Sequence, residues 1–266
     1  NGSNGQINSS GLLIRAQMAA IVNRAFAARK TADLSVYSDA NTSAWYYNDL
    51  ELAVAMRTFQ GANGKLNPEA PITREEAFVV LARAFALESG DTSVLNHYTD
   101  GASVSAWARS SVAALIENGY VNGANGKLNP KTSITRAEFA AICARFDSGK
   151  AEENSGFTDI SGHWAEKEIE RAATLGWVSG YTDGSFHPDA PITRAEAMTL
   201  INRVLCRMPE TKADLLDSMT KWPDNQPGAW YYLAVQEATN SHTYEQKDSK
   251  YETWTALTAE PDWSKY

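Results

Sequence analysis

Three segments of one pattern recur about every 60 residues in this 266-residue chain. They are Ile72-Thr73-Arg74-Glu75-Glu76, Ile134-Thr135-Arg136-Ala137-Glu138 and Ile192-Thr193-Arg194-Ala195-Glu196, and a degenerate copy, Leu13-Ile14-Arg15-Ala16-Gln17, precedes them at the same spacing. A period of that length, held over most of a chain, dictates a repeat protein. Each unit is one supersecondary element that buries its apolar face against its neighbours.

A second landmark alternates with the first. Trp45, Trp107, Trp164 and Trp230 each open an apolar-periodic stretch, and an aromatic-x-Asp triplet precedes three of them: Tyr37-Ser38-Asp39, Tyr98-Thr99-Asp100 and Phe157-Thr158-Asp159. Before Trp230 stands Trp222-Pro223-Asp224. The unit therefore reads aromatic-x-Asp, a tryptophan with a first helix, a Gly/Asn-rich turn, and Ile-Thr-Arg-x-Glu with a second helix. Thr135 and Glu138 fit a capping box, in which the N-cap hydroxyl and the N3 carboxylate each satisfy one free backbone N–H. Thr73/Glu76 and Thr193/Glu196 repeat it. Phe139, Ile142, Cys143 and Phe146 then fall on one helical face. In the first helix Ile169, Ala172, Ala173 and Leu175 form the apolar face, and Gly176 marks the stop. The turns are Gly61-Ala62-Asn63-Gly64, Gly123-Ala124-Asn125-Gly126 and Gly180-Tyr181-Thr182-Asp183-Gly184, with Asn-Gly or Asp-Gly supplying positive φ. Leu66, Leu128 and Phe186 follow as plugs into the core.

This combination resembles the S-layer homology (SLH) domain, a surface-anchoring repeat of bacteria. The nearest copy runs Phe157-Thr158-Asp159, His163-Trp164-Ala165, Gly176 to Pro188 and Ile192 to Glu196. The resemblance implies a mainly α fold: tandem helix-loop-helix repeats in a pseudo-threefold spindle around a central bundle of second helices. It also implies a non-catalytic module outside the cell, at the bacterial wall or S-layer. Its partner would be a secondary cell-wall polysaccharide or peptidoglycan-linked polymer, with an acidic sugar bearing a pyruvate ketal. Complete repeats are expected at 33–88, 94–148 and 154–208. Residues 1–32 read as the second half of a further repeat, and 218–266 as a first half plus an aromatic tail.

The arginine chemistry agrees with such a ligand. Arg74, Arg136 and Arg194 are expected at N1 of capped helices, where free N–H groups and the helix dipole favour anions and a guanidinium adds a fork for a carboxylate. The turn glycines Gly64, Gly126 and Gly184 let a ligand approach the backbone, with Asp183 beside the last. Trp45, Trp107 and Trp164 can stack on a sugar ring, and Asp159 belongs to the nearest copy's opening motif. Arg15, which lacks the capping threonine, is the weakest of the arginines.

A formal net charge of −8 argues against nucleic acid, and no stretch is apolar enough to span a membrane. Cys143 and Cys206 lie outside any CxxC or Cys/His cluster, and the four histidines are scattered, so no cofactor, metal or catalytic constellation is expected. Asp183-Gly184 reads as a turn rather than a calcium loop. The two terminal halves are complementary. They meet within one chain or cap the bundle, or else they join successive molecules head to tail and give self-association. The first arrangement is the expected one. The tail, with Tyr244, Tyr251, Trp254, Trp263 and Tyr266, is expected to pack on the body or on a neighbour.

Overall fold

The computed structural model describes residues 6–25, 30–56, 59, 61, 64–84, 87–147 and 155–259. Trp263, Tyr266, Ala62, Asn63 and the first five residues, which enter the sequence expectations above, lie outside them. The fold is mainly helical, and no helix among the described residues is long and apolar enough to cross a membrane. The chain forms two compact units. One holds the described residues from 13 to 147; the other combines 6–12 with 155–259.

The first unit contains α1 (Arg15–Ala25), α2 (Tyr47–Ala55), α3 (Arg74–Ala84), α4 (Arg109–Glu117) and α5 (Arg136–Phe146). The second contains α6 (Glu166–Thr174), α7 (Arg194–Val204), α8 (Tyr232–Thr239) and a hairpin of β1 (His242–Gln246) and β2 (Glu252–Leu257). Each tryptophan landmark stands two residues before its helix rather than within it. These first helices begin without a side-chain cap. They are held by packing: α1 packs with α2, α3 with α4 and α7 with α8. Each of these pairs joins the second helix of one sequence repeat to the first helix of the next.

The capping boxes at Thr135/Glu138 and Thr193/Glu196 are complete. At Thr73 only one arm forms: Glu76 accepts from the Thr73 N–H at 2.9 Å, while the buried Thr73 hydroxyl finds no hydrogen-bond partner. Before α1 the Gln17 amide oxygen accepts from the Ile14 N–H at 3.1 Å, so the degenerate copy keeps the carbonyl arm without the threonine.

The aromatic-x-Asp triplet folds each turn. Both oxygens of Asp39 accept from the N–H groups of Leu66 and Asn67, those of Asp100 from Leu128 and Asn129, and those of Asp159 from Phe186 and His187, all at 2.7–2.8 Å. Leu66, Leu128 and Phe186 are fully buried, as their plug position requires. The next residue, Asn67, Asn129 or His187, takes a left-handed φ near 50°, a region asparagine enters more readily than most residues.

The same device joins the terminal halves. Asp224 accepts from the Ile7 N–H at 2.8 Å and the Asn8 N–H at 2.7 Å. Ile7 packs with Met198 and Val235, and Asn8 has φ 51°. The split copy is thus bonded within one chain.

At Gly180 a side chain has no room. An added Cβ would lie 2.4 Å from the Phe157 ring and 2.7 Å from the Ser185 carbonyl oxygen. Gly180→Ala should cost about 1–3 kcal/mol through overpacking, read as a lower urea midpoint with an unchanged m-value.

The tail was expected to pack on the body, and its described part does so as a hairpin that the sequence reading missed. Glu252 donates its N–H to the Met208 carbonyl at 3.0 Å. Trp254 is buried with Met219 and Tyr232.

Candidate functional site

The arginines of the repeat lie inside the structure. Arg74 is 5% exposed. Its Nε donates to the Leu128 carbonyl at 2.7 Å, and its Nη1 pairs with the Glu138 carboxylate. Arg15 does the same one copy earlier, donating to the Leu66 carbonyl at 2.8 Å and pairing with Glu76. Arg136 and Arg194 are equally buried. Burial lowers the pKa of Arg15, Arg74 and Arg194 to about 10, against the pull of Asp39, Asp100 and Asp224 respectively, so all three stay charged at neutral pH.

The helix ends were expected to offer free N–H groups to an anion, and the structure corrects this. The Arg74 and Glu75 N–H groups donate to the carbonyls of Thr132 and Pro130 at 2.8 and 3.0 Å. Arg15 and Ala16 donate to Ala70 and Pro68, and Arg194 and Ala195 to Gly11 and Ser9, all at 2.9–3.0 Å. The orphan donors of a helix start must be satisfied, and here the next copy's turn satisfies them. Arginine, cap and turn therefore brace one copy against the next. Sequence alone placed each arginine with its own upstream turn, whereas Arg15 and Arg74 serve the turn of the following copy. Arg15, the weakest arginine by sequence, makes the same contacts as Arg74.

Asp159 has both oxygens committed to the turn. Asp183 accepts from the Ser185 N–H at 2.9 Å and hydroxyl at 2.5 Å, bonds that hold its carboxyl below the usual range, and it forms the turn read from sequence. Gly64, Gly126 and Gly184 all have positive φ, near 70–82°. Their carbonyls accept from the N–H groups of Ser38, Thr99 and Thr158 at 2.9–3.0 Å.

The tryptophans differ. Trp45 and Trp107 are half-buried, and Trp45 sits edge-on to Tyr46. Trp164 is 48% exposed and Trp230 is 56% exposed. Trp164 lies 5.4 Å from the His163 ring, and His163 Nε2 lies 3.3 Å from Asp189 Oδ1. In the same copy Tyr181 meets His187 edge-on at 4.7 Å, and Ser185 Oγ lies 2.9 Å from His187 Nε2. A half-exposed indole beside the His163 ring can stack on a sugar ring, and the polar groups of the same copy can hydrogen-bond its hydroxyls.

A second polar cluster lies under the hairpin. Glu237, His242 and Glu252 bring potential ligand atoms within 4.8 Å of one another, so by residue type they could hold a metal ion. Sequence spacing hid them, because β1 and β2 bring together residues that lie apart in the chain. Here protein groups balance them. Arg207 Nε pairs with Glu252 at 2.5 Å and Nη2 with Glu237 at 3.2 Å. Trp254 Nε1 donates to Glu237 at 2.9 Å, and His242 Nε2 lies 3.0 Å from Glu252. Burial alone would lower the His242 pKa, but the two carboxylates outweigh it and raise it to about 9. Cys143, by contrast, is a buried thiol raised to about 12 by desolvation and inert at neutral pH.

Comparison with known proteins places these copies. The profile of the S-layer homology domain matches residues 36–78, 97–140 and 156–198. Cell surface glycoprotein 1 of Acetivibrio thermocellus is 34% identical over 202 residues, 71% of this chain and 8% of that protein. The cellulosome-anchoring protein of the same organism is 34% identical over 189 residues, 68% of this chain and 41% of the relative. The surface-layer 125 kDa protein of Lysinibacillus sphaericus is 34% identical over 149 residues, 54% and 12% of the two lengths. This chain thus spans less than half of each of these relatives. The three matched copies carry the aromatic-x-Asp turns and capped arginine helices described above, and on them the chain belongs to the S-layer homology domain family.

Proposed function

We propose that this chain is a non-catalytic module that anchors a protein at the bacterial cell surface by binding an acidic, pyruvate-ketal-bearing secondary wall polysaccharide. The observation that carries the reading is Trp164, a large apolar ring 48% exposed in the copy nearest the family pattern. Burying such a ring is favourable, and a sugar face is the surface it fits. Trp107 and Trp45 hold the same register in the other complete copies, whose turns carry Gly126 and Gly64. Asp183, Gly184 and Asp159 shape the turn of the copy that carries Trp164. Arg74 and Arg194 brace the copies, and with the buried Arg136 they supply positive charge beneath their surfaces, which draws a polyanion to a chain of net negative charge. Relatives named as a cell surface glycoprotein and a cellulosome-anchoring protein support this reading.

Head-to-tail assembly through the half-copies is the rival function. The Asp224 bonds to Ile7 and Asn8, made within one chain, weigh against it.

The test is a pull-down on purified wall sacculi with and without their non-peptidoglycan polymer. The intact chain should sediment only with the polymer-bearing sacculi. A Trp45→Ala, Trp107→Ala, Trp164→Ala variant should bind more than tenfold more weakly, at roughly 1 kcal/mol per stacked ring. Equal binding by a folded triple variant overturns the proposal.

A further inference from the structure

One position breaks the repeat in a way the brace does not need. The variable residue of Ile-Thr-Arg-x-Glu is alanine at Ala16, Ala137 and Ala195, and each is buried. In the remaining copy it is Glu75, whose side chain is 3% exposed. A carboxylate is costly to bury unless it is paired and hydrogen-bonded. Here it is held on every side. The Ser105 N–H donates to Glu75 Oε2 at 3.0 Å and the Ser105 hydroxyl to Oε1 at 2.8 Å. Lys131 Nζ pairs with Oε1 and also reaches the Ser105 hydroxyl.

The partners come from the following copy, and the lysine is particular to it. Counting from the tryptophan, Ser105 stands two residues before Trp107; the first complete copy also has serine there, Ser43, while the third complete copy and the split copy have Gly162 and Gly228. Counting from the capping turn, Lys131 stands where the other copies have Glu69, Asp189 and Ser10. Lys131 is 53% exposed, so the cradle opens towards solvent from its cationic side.

A backbone N–H, a hydroxyl and an ammonium converging on two oxygens of one carboxylate form an anion site, and Trp107 stands two residues away. We propose that Ser105 and Lys131 form a carboxylate-binding cradle that the chain fills with its own Glu75, so that this copy takes the carboxylate of an acidic sugar only when Glu75 is displaced. The inference rests on the saccharide reading for its ligand. The cradle itself rests on the contacts alone.

Acetate tests the cradle without any sugar. The melting temperature of Glu75→Ala should rise by several degrees in sodium acetate relative to sodium chloride of equal ionic strength, while the parent chain shows no such difference. Adding Lys131→Ala to Glu75→Ala should abolish the rise. In calorimetry, a methyl glycoside carrying a pyruvate ketal should bind Glu75→Ala with one more site per chain than the parent. If Glu75→Ala does not fold, Glu75→Gln replaces it and should show the same acetate effect at smaller size. No acetate-specific rise in a folded variant overturns the cradle. An acetate rise with an unchanged glycoside count overturns the self-filled saccharide site. No glycoside binding by either chain, with acetate rescue intact, overturns the saccharide reading and leaves the carboxylate cradle standing.

Discussion

Replacing Arg74 with alanine should lower the stability of its unit by about 3–5 kcal/mol, the usual consequence of removing one partner of a buried ion pair. The loss has two sources. Glu138, whose side chain is 20% exposed, keeps its place at the start of α5 without its cation. The Leu128 carbonyl loses the Nε donor that sits 2.7 Å away. Arg74→Lys keeps the charge but cannot serve the carbonyl and the carboxylate with one rigid fork, so it should recover only part of the loss. Urea unfolding followed by far-UV circular dichroism checks both. A change below 1 kcal/mol for Arg74→Ala would remove the brace from the account. The stability measurement is also needed before any binding loss in an arginine variant is assigned to ligand contact.

The second large effect lies under the hairpin. Glu252 is fully buried and takes hydrogen bonds from Arg207 and His242, which hold its pKa below the usual range although burial pushes it up. Glu237 goes the other way: burial dominates and raises it despite His242 and Trp254. Glu252→Ala would remove the fully buried one of the two carboxylates that Arg207 and His242 share, leaving Glu237 alone against both, and a loss of about 3–5 kcal/mol is expected. The pH dependence follows from the signs. His242 has a folded pKa of about 9, raised from 6.5, so its contribution is complete below pH 6.5 and is lost as pH rises through 9. Glu252, depressed in the folded state, contributes fully above 4.5 and loses that contribution as pH falls. The melting temperature should therefore drop between pH 6 and pH 9.5, and His242→Gln should flatten that part of the profile. A parent profile as flat as the variant's would show that the cluster does not stabilise the hairpin.

The contrast between legible and hidden features follows from their range. The Thr135 and Thr193 boxes, the plugs Leu66, Leu128 and Phe186, and the stop at Gly176 each depend on residues a few positions apart, and local pattern is enough to read them. The role of Arg74 depends on Leu128 and Glu138, more than fifty residues away, and a period cannot say whether a motif serves its own copy or the next. The hairpin was hidden for a different reason. β1 is polar and mostly exposed, and the β-branched and aromatic signature of a strand is limited to Thr243-Tyr244 in β1 and Thr253-Trp254-Thr255 in β2. Glu75 was visible all along as the one acidic residue at a position otherwise held by alanine, but its meaning needed Ser105 and Lys131 placed around it.

The bond from Asp224 to Ile7 and Asn8 closes a loop of more than two hundred residues. During synthesis the Ile7 and Asn8 N–H groups wait for that carboxylate until almost the whole described chain has been made. The first unit, whose Arg15 and Arg74 braces lie between residues 13 and 147, can form by then. Its arginine braces span about fifty residues, while the second unit holds the Asp224 bonds, whose long sequence separation makes them slow to form. Folding on the ribosome should therefore proceed in two stages, with the segment that carries Ile7 made ahead of the rest of the described chain and among its last parts to be locked.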